Sequence, residues 1–312
     1  MSAAYYILSI VLAPLLPGVI NRVKAKFAGR RGKPCLQLYF DLAKLLRKGA
    51  VYSTTSTAVF WIAPLVNLGA VLAALLFVPL GGQPALVRFT GDFFLAAYLL
   101  SMGRFATILG ALDTGSAFEG MGASREAVFS AMAEPVLLFG LIPLGITVKA
   151  FSLSSMLAPF TPQAWEQYWP VLILLAAAFF IVLLTENSRI PVDDPNTHLE
   201  LTMIHEVMIL DHGGVDLALI ELGASLKLWF FCAVVAGVGM PDLTMFLAGT
   251  PYSALLSGPG AYLALSLAGI LTVAVLVGIT ESVMARLRLY RIPQLLALAG
   301  ALTALACLFS LR

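Results

Sequence analysis

Eight long apolar stretches alternate along the chain with short polar segments. Each stretch is close to the roughly 20 residues that an α-helix needs to cross about 30 Å of hydrocarbon. The pattern predicts an all-α polytopic membrane protein, a single integral-membrane domain over residues 1–312, with about eight transmembrane helices and short interfacial helices. The predicted spans are residues 4–21, 57–79, 91–112, 126–151, 169–185, 218–238, 261–285 and 292–311.

The composition agrees with this pattern. Hydrophobic residues make up 60% of the chain and charged residues only 12%, about half the charged fraction of a typical soluble domain. No cleavable signal peptide is expected, because Pro14 and Pro17 interrupt the first apolar run and basic residues follow it.

The connecting segments differ in their positive charge. If the spans cross alternately, 14 of the 19 Lys and Arg residues fall on one side, in segments 22–56, 113–125, 186–217 and 286–291. The positive-inside rule places that side in the cytoplasm and both termini on the non-cytoplasmic side.

The segment from Thr185 to Glu221 carries eight of the 17 acidic residues and all three histidines. A solvated loop would explain its polarity, but membrane proteins also concentrate charge where it is used. Thr197 and Glu200 form a capping-box pattern that predicts a helix over residues 198–211. Capping explains Glu200 but leaves Glu206 and Asp211 without a structural reason.

Metal binding by this chain is not expected. The three histidines are seven residues apart, or about 10 Å per step along a helix, too far to share one metal ion. Cys35, Cys232 and Cys307 are also far apart in sequence, so any redox centre is expected on a partner subunit.

Ionisable residues inside the predicted spans are candidates for an ion pathway. Ser124 is expected to cap the fourth span after a tight glycine-rich turn, which places Glu134 well inside the membrane. Glu134 is either a proton relay or a structural carboxylate bonded to a neighbouring helix. Glu221 and Lys227 are six residues apart and do not face each other on a helix, so each needs a partner elsewhere. Glu281 lies just inside the membrane.

The first basic segment predicts an interfacial helix from Pro34 to Lys48. The helix is too short and too charged to span the bilayer. Its positive charges suit either lipid headgroups or the docking of a cytoplasmic subunit.

Four sequence blocks resemble the respiratory complex I subunit 1 family, over nearly the whole chain. The LDTGS and GMGASRE runs in the second block are similar to the branch found in membrane-bound group 4 nickel–iron hydrogenases, such as formate hydrogenlyase. The blocks are Arg30–Gly49, Leu112–Pro135, Glu186–Leu201 and Glu281–Leu289.

The resemblance implies a non-catalytic, multi-pass subunit of the inner (cytoplasmic) membrane. Its expected partners are the hydrogenase large and small subunits, a ferredoxin-like iron–sulfur subunit, antiporter-like membrane subunits and the lipid bilayer, with no nucleic acid. Iron–sulfur clusters and the nickel–iron site are expected on those partners, with no cofactor in this chain. Electron transfer in the partners would be coupled to proton or sodium translocation.

The family also implies a charged route from the cytoplasmic junction into the membrane, to which the residues give candidate members. The candidates for the proton or ion pathway are Glu134, Glu186, Asp193, Glu200, Glu206, Asp211, Glu221 and Glu281. The candidate charge partners are Arg189 and Lys227, and the candidate docking contacts for the soluble arm are Arg30, Arg31, Asp41 and Lys44.

Two alternatives to the hydrogenase-type subunit stay open. One is a quinone-binding subunit of a complex I-type oxidoreductase, although Val192, Asp194, Asn196 and His198 depart from the quinone-reducing pattern and argue against a quinone site. The other is a freestanding secondary ion transporter, which would transport ions as an isolated chain.

Overall fold

The structure, a computed structural model, describes residues 2–194, 203–239 and 259–311. Within these ranges the chain forms helices joined by short connections, with no strand. The helices are α1 (Ser2–Leu12), α2 (Leu15–Phe27), α3 (Gln37–Leu45), α4 (Ala58–Leu75), α5 (Asp92–Asp113), α6 (Ala117–Val148), α7 (Leu153–Met156), α8 (Pro162–Glu186), α9 (His205–Met208), α10 (Gly214–Gly239), α11 (Pro259–Val283) and α12 (Ile292–Ser310).

The predicted multi-pass helical fold is confirmed. In the described part of the chain, seven helices are long and apolar enough to cross a membrane, and an eighth span results if α1 and α2 count as one. These two helices meet at a 43° bend, so the first span is not the continuous helix that residues 4–21 predicted. Pro14 lies at the break, where its ring is incompatible with an uninterrupted helix.

Helix α6 begins at Ala117, nine residues before the predicted span. Ser124 is therefore inside the helix and does not cap it. The predicted tight path holds at Gly115, which has a left-handed φ of 70° in the turn before α6, but it does not continue to Gly122, which lies inside the helix and serves a close packing contact. A Cβ at Gly122 would collide with Val207 Cγ1 and lie 2.8 Å from the Ile204 carbonyl oxygen.

The helix predicted over residues 198–211 is wrong in its described part, because α9 covers only His205–Met208. The predicted capping box lies outside the described residues. In the described part, Asp193 accepts hydrogen bonds from the backbone N–H groups of Ile204 (2.9 Å) and His205 (3.3 Å). Its carboxylate thus satisfies donors at the start of α9.

The interfacial helix α3 begins at Gln37 rather than at Pro34, and it ends at Leu45. The Gln37 side chain donates a hydrogen bond to Asp41 at 2.9 Å, which stabilises the first turn. Phe40 is 60% exposed, while α2 and α10 pack against the helix. One apolar edge of α3 is therefore open to lipid or to another chain.

Helix α10 occupies the centre of the bundle. It contacts α2, α3, α4, α8 and α11, and 72% of its most apolar 18-residue stretch is buried. An aromatic run at Trp229, Phe230 and Phe231 fills the space between these neighbours. A charged residue on α10, such as Lys227, therefore faces protein rather than lipid.

Candidate functional site

Arg104 on α5 is the centre of a buried group of charges. Its side chain is 7% exposed. Nη1 lies 2.7 Å from Glu134 Oε1, and Nη2 donates to Glu186 Oε2. Nε lies 3.7 Å from Glu126 Oε1, within ion-pair range but beyond a hydrogen bond. The guanidinium thus connects carboxylates from α6 and α8.

Lys227 on α10 completes what we name the Arg104 cluster: Arg104, Glu126, Glu134, Glu186 and Lys227. Its Nζ lies 3.1 Å from Glu186 Oε2, so Glu186 contacts two cations. Burying ionised groups costs several kcal/mol each unless they are paired, and these contacts supply the pairing.

A cavity of about 70 Å³ borders the Arg104 cluster. A buried water needs about 10–15 Å³ of such space and two to four polar partners, so the cavity has room for water beside the charges. Its lining consists of Asn67, Leu100, Arg104, Thr107, Glu126, Glu186, Asn187, Ser188, Arg189, His205, Met208, Gly223, Ala224 and Lys227.

A second cavity, of about 260 Å³, adjoins the first. The two share the lining residues Asn187, Ser188, Arg189, His205 and Ala224. The larger cavity reaches Asp41 on α3 and also contains Glu206 and Glu221. Polar space therefore runs from the interfacial helix to the Arg104 cluster.

Arg189 and Glu281 form another ion pair beside this space. Glu281 on α11 has a fully buried side chain, and its two oxygens lie 2.7 Å from Lys24 Nζ and 3.6 Å from Arg189 Nη1. This triad joins α2, α11 and the segment after α8. Glu281 therefore holds the foot of the bundle together and also neighbours the larger cavity through Arg189.

Two neighbouring residues of α9 have strongly shifted protonation equilibria. Burial, followed by the negative charges of Glu221 and Asp193, raises the pKa of Glu206 to about 7. Burial, followed by the positive charges of Lys227 and Arg189, lowers the pKa of His205 to about 4. Near neutral pH, Glu206 can thus exchange a proton while His205 is uncharged.

Asp193 has a positioning role in this region. Besides its bonds to the start of α9, its Oδ1 lies 2.8 Å from Arg286 Nη2, and it is 1% exposed. Burial raises the pKa of Asp193, while the hydrogen bond from Ile204 and the charge of Arg286 oppose that shift. The carboxylate connects the segment after α8 to the segment after α11.

The structure brings most of the predicted pathway residues together, in three groups. Glu134, Glu186 and Lys227 are in the Arg104 cluster, and Arg189 pairs with Glu281. The larger cavity is lined by Asp41, Arg189, Asp193, Glu206 and Glu221.

The remaining predicted residues lie elsewhere. Asp211 is exposed in the turn after α9, and Glu200 is outside the described residues. The predicted docking residues Arg30, Arg31 and Lys44 are exposed on or beside the segment that contains α3.

Sequence reasoning missed two members of the Arg104 cluster. Arg104 could have been found from the sequence, because an arginine inside an apolar span usually has a functional role or pairs with an acidic residue. Glu126 was hidden because the fourth span was predicted to begin there. Asn67, the amide in the otherwise apolar α4, was also missed.

Comparisons with known proteins agree with the fold. The sequence profile of a family described as NADH dehydrogenase matches residues 1–311. The chain is 29% identical over 307 residues to hydrogenase-4 component C of Escherichia coli (strain K12), covering 98% of this chain and 94% of that protein. It is 31% identical over 288 residues to formate hydrogenlyase subunit 4 of the same strain, covering 91% and 89%.

A more distant relative comes from a ubiquinone-linked enzyme. The chain is 25% identical over 219 residues to NADH-ubiquinone oxidoreductase chain 1 of Mycosarcoma maydis, covering 68% of this chain and 64% of that protein. This similarity spans less of the chain than the similarity to the two hydrogenase-type proteins does.

A solved structure supports the same architecture. A chain of the membrane-bound sulfane sulfur reductase, an archaeal respiratory membrane complex, superposes with a TM-score of 0.78 at 19% identity, covering 99% of this chain and 98% of that chain. At that identity the match establishes a shared fold. The match to the family profile over residues 1–311 shows that the chain belongs to the NADH dehydrogenase family, as its resemblance to complex I subunit 1 predicted.

Proposed function

We propose that this chain is the non-catalytic membrane subunit of a hydrogenase-like, energy-converting complex. In this role it anchors a soluble module that carries iron–sulfur clusters and a nickel–iron site, and it couples electron transfer to proton or sodium translocation. Its near full-length similarity to hydrogenase-4 component C and formate hydrogenlyase subunit 4 supports the assignment. The observation that carries the coupling role is the Arg104 cluster inside the spans.

The coupling route starts at the larger cavity. Glu206 and Glu221 exchange protons or ions there, and Arg189 and His205 stand between that cavity and the smaller one. The route then passes through the other members of the Arg104 cluster to Glu134. Moving one elementary charge against 100 mV requires about 2.3 kcal/mol, which sets the scale of the electrostatic change that each turnover must supply.

The route leaves the chain at Glu134. The Glu134 side chain is 32% exposed, more than those of Glu186 (3%) and Glu126 (8%). A partly exposed carboxylate in an apolar span is costly against lipid. In the assembled complex an antiporter-like membrane subunit covers Glu134 and receives the signal or the ion.

The soluble module docks on the face that carries α3. Arg30, Arg31 and Lys44 give this face exposed positive charge, and Phe40 adds an exposed aromatic surface. By the positive-inside rule this face is cytoplasmic and both termini are on the other side. The membrane that we propose for the complex is the inner (cytoplasmic) membrane.

Quinone binding is a second candidate function, because the larger cavity is close to the lower size limit of small-molecule sites, about 300 Å³. The similarity to a chain of a ubiquinone-linked oxidoreductase also favours it. In that role α3 would form one wall of the quinone entrance.

Purification of the tagged chain from its native membrane in mild detergent tests these assignments. Recovery of a nickel–iron subunit, iron–sulfur subunits and antiporter-like subunits, with hydrogen production from a reduced low-potential donor, is the expected result. Recovery of bound quinone together with quinone reductase activity would instead support the second candidate, a quinone-binding subunit. A lone chain that transports ions in liposomes would refute both and indicate a secondary transporter.

A further inference from the structure

Asn67 places an amide inside an apolar span. Helix α4 is otherwise built from apolar residues and glycine across Ala58–Leu75. A polar side chain at this depth is costly unless it bonds to another polar group or lines a hydrated space. The amide of Asn67 therefore needs either a hydrogen-bonding partner or a hydrated space beside it.

Two glycines make room for this amide. A Cβ at Gly103 on α5 would lie 2.7 Å from Asn67 Oδ1, and a Cβ at Gly223 on α10 would lie 3.3 Å from Asn67 Nδ2. Gly103 directly precedes Arg104, and Gly223 is one turn before Lys227. The amide consequently sits between the helices that supply the two cations of the Arg104 cluster.

The amide faces the smaller cavity. Asn67 lines this space of about 70 Å³ together with Arg104, Glu186 and Lys227. Within the described ranges, its side chain makes no hydrogen bond to another residue. Its two N–H donors and its carbonyl acceptor are thus available to water in the cavity.

The charges of the lining favour a proton over a sodium ion. Arg104, Arg189 and Lys227 border the cavity, against the two carboxylates Glu126 and Glu186, which already face cations. A metal cation about 4 Å from one of these positive groups would be repelled by about 4 kcal/mol at an effective dielectric constant of 20. A water molecule that takes up one proton as it gives up another carries no full positive charge, so a concerted proton transfer avoids the repulsion that a metal cation would meet there.

We propose that Asn67 positions the water that transfers protons through the Arg104 cluster. The amide does not itself take up the proton: a water molecule held by Asn67 accepts a proton from a protonated carboxyl group and gives up another to the next carboxylate, so that the first group is left as a carboxylate and the second becomes a carboxylic acid. This inference rests on the proposed coupling function and assigns the proton as its ion. Asn67 is a positioning residue, acting through that water.

The test uses Asn67→Leu, which keeps the side-chain size and removes its hydrogen bonds, in the intact complex reconstituted into sealed vesicles. We expect unchanged assembly and electron transfer, with proton translocation slowed about tenfold, equivalent to about 1.4 kcal/mol. Asn67→Ser, which keeps a hydroxyl for water, should recover much of the rate. Leu65→Met, at a lipid-exposed site on the same helix, is the matched control and should be unaffected.

A second variant tests the position of the amide rather than its presence. Gly103→Ala should also slow proton translocation, because its Cβ would displace Asn67 Oδ1. If Asn67→Leu does not assemble, Gly103→Ala alone tests whether Asn67 positions the water. Normal proton translocation in Gly103→Ala or Asn67→Leu, no recovery in Asn67→Ser, or a requirement for sodium ions would overturn the inference.

The failure of this inference can be told apart from the failure of the coupling function. If Glu134→Gln uncouples the complex while Asn67→Leu does not, only the role of Asn67 is wrong. If neither substitution changes proton translocation, the coupling function of the chain is wrong as well.

Discussion

Replacement of Arg104 by glutamine should destabilise the chain strongly, because the guanidinium faces three carboxylates. The side chains of Glu126 and Glu186 are only 8% and 3% exposed, so water cannot compensate them fully. Glu186 retains Lys227 at 3.1 Å, whereas Glu126 loses its ion-pair contact with Arg104 at 3.7 Å and keeps only the charge of Lys227 beyond ion-pair distance. Removing one partner of a buried ion pair costs about 3–5 kcal/mol, and we expect a loss of stability in that range.

A double-mutant cycle separates this electrostatic effect from a packing defect. Adding Glu126→Gln to Arg104→Gln removes the carboxylate that lost its ion-pair contact with Arg104, so the double variant should recover about 1–3 kcal/mol relative to additivity. Unfolding in mixed micelles by increasing SDS, followed by the fluorescence of the four tryptophans, measures the free energies.

Arg88→Gln is the control for the loss of an arginine. Arg88 is exposed, so its replacement should change stability by no more than about 0.5 kcal/mol. Additive effects of Arg104→Gln and Glu126→Gln would contradict the ion-pair account, as would an Arg104→Gln variant as stable as the Arg88 control.

Two further predictions concern the larger cavity and the packing below it. Because the pKa of Glu206 is raised from 4.5 to about 7, the folded state binds more protons than the unfolded state between these pH values. Stability should therefore fall by up to about 3 kcal/mol as pH rises through this window, and Glu206→Gln should flatten the decline in pH-dependent unfolding; an unchanged slope would refute the shift. Gly18→Ala should cost about 1–3 kcal/mol or more in the same unfolding assay, because a Cβ at Gly18 would collide with the Cys35 carbonyl oxygen. Gly69→Ala, with no heavy atom within 4 Å of its Cβ, is the control, and equal losses in both variants would show that the Gly18 contact is not special.

The sequence was sufficient to predict the spans because each is defined by its own composition. The predicted limits 91–112 and 218–238 differ from α5 and α10 by only a few residues. Helix starts at the interface were harder. The start of α6 was placed late because its glycines looked like a turn, whereas Gly122 packs against α9.

The pairing of charges could not be predicted, because it depends on contacts between distant segments. Arg104 and Glu186 are 82 residues apart along the chain, and no local pattern indicates their contact. The intramembrane positions of Glu134 and Lys227 were evident from their apolar surroundings. Their shared connection through Arg104 and Glu186 required the packing of α5, α6, α8 and α10.

The start of α9 shows a different limit. The donors at the start of α9 bond to Asp193, 11 residues before Ile204. A sequence pattern indicates which bonds are available between residues close together in the chain. It does not indicate an acceptor that the fold brings from a more distant position.

The most direct test of the central claim is proton translocation by the intact complex carrying Glu134→Gln. Glutamine can still accept bonds from Ser101 and Arg104, whose donors lie 2.5 Å and 2.7 Å from Glu134 Oε1, but it cannot hold an exchangeable carboxylate proton. Glu166→Gln, at an exposed carboxylate on α8, is the control. The account predicts assembly and electron transfer in both variants, with proton translocation lost only in Glu134→Gln. Normal proton translocation by an assembled Glu134→Gln complex would contradict it.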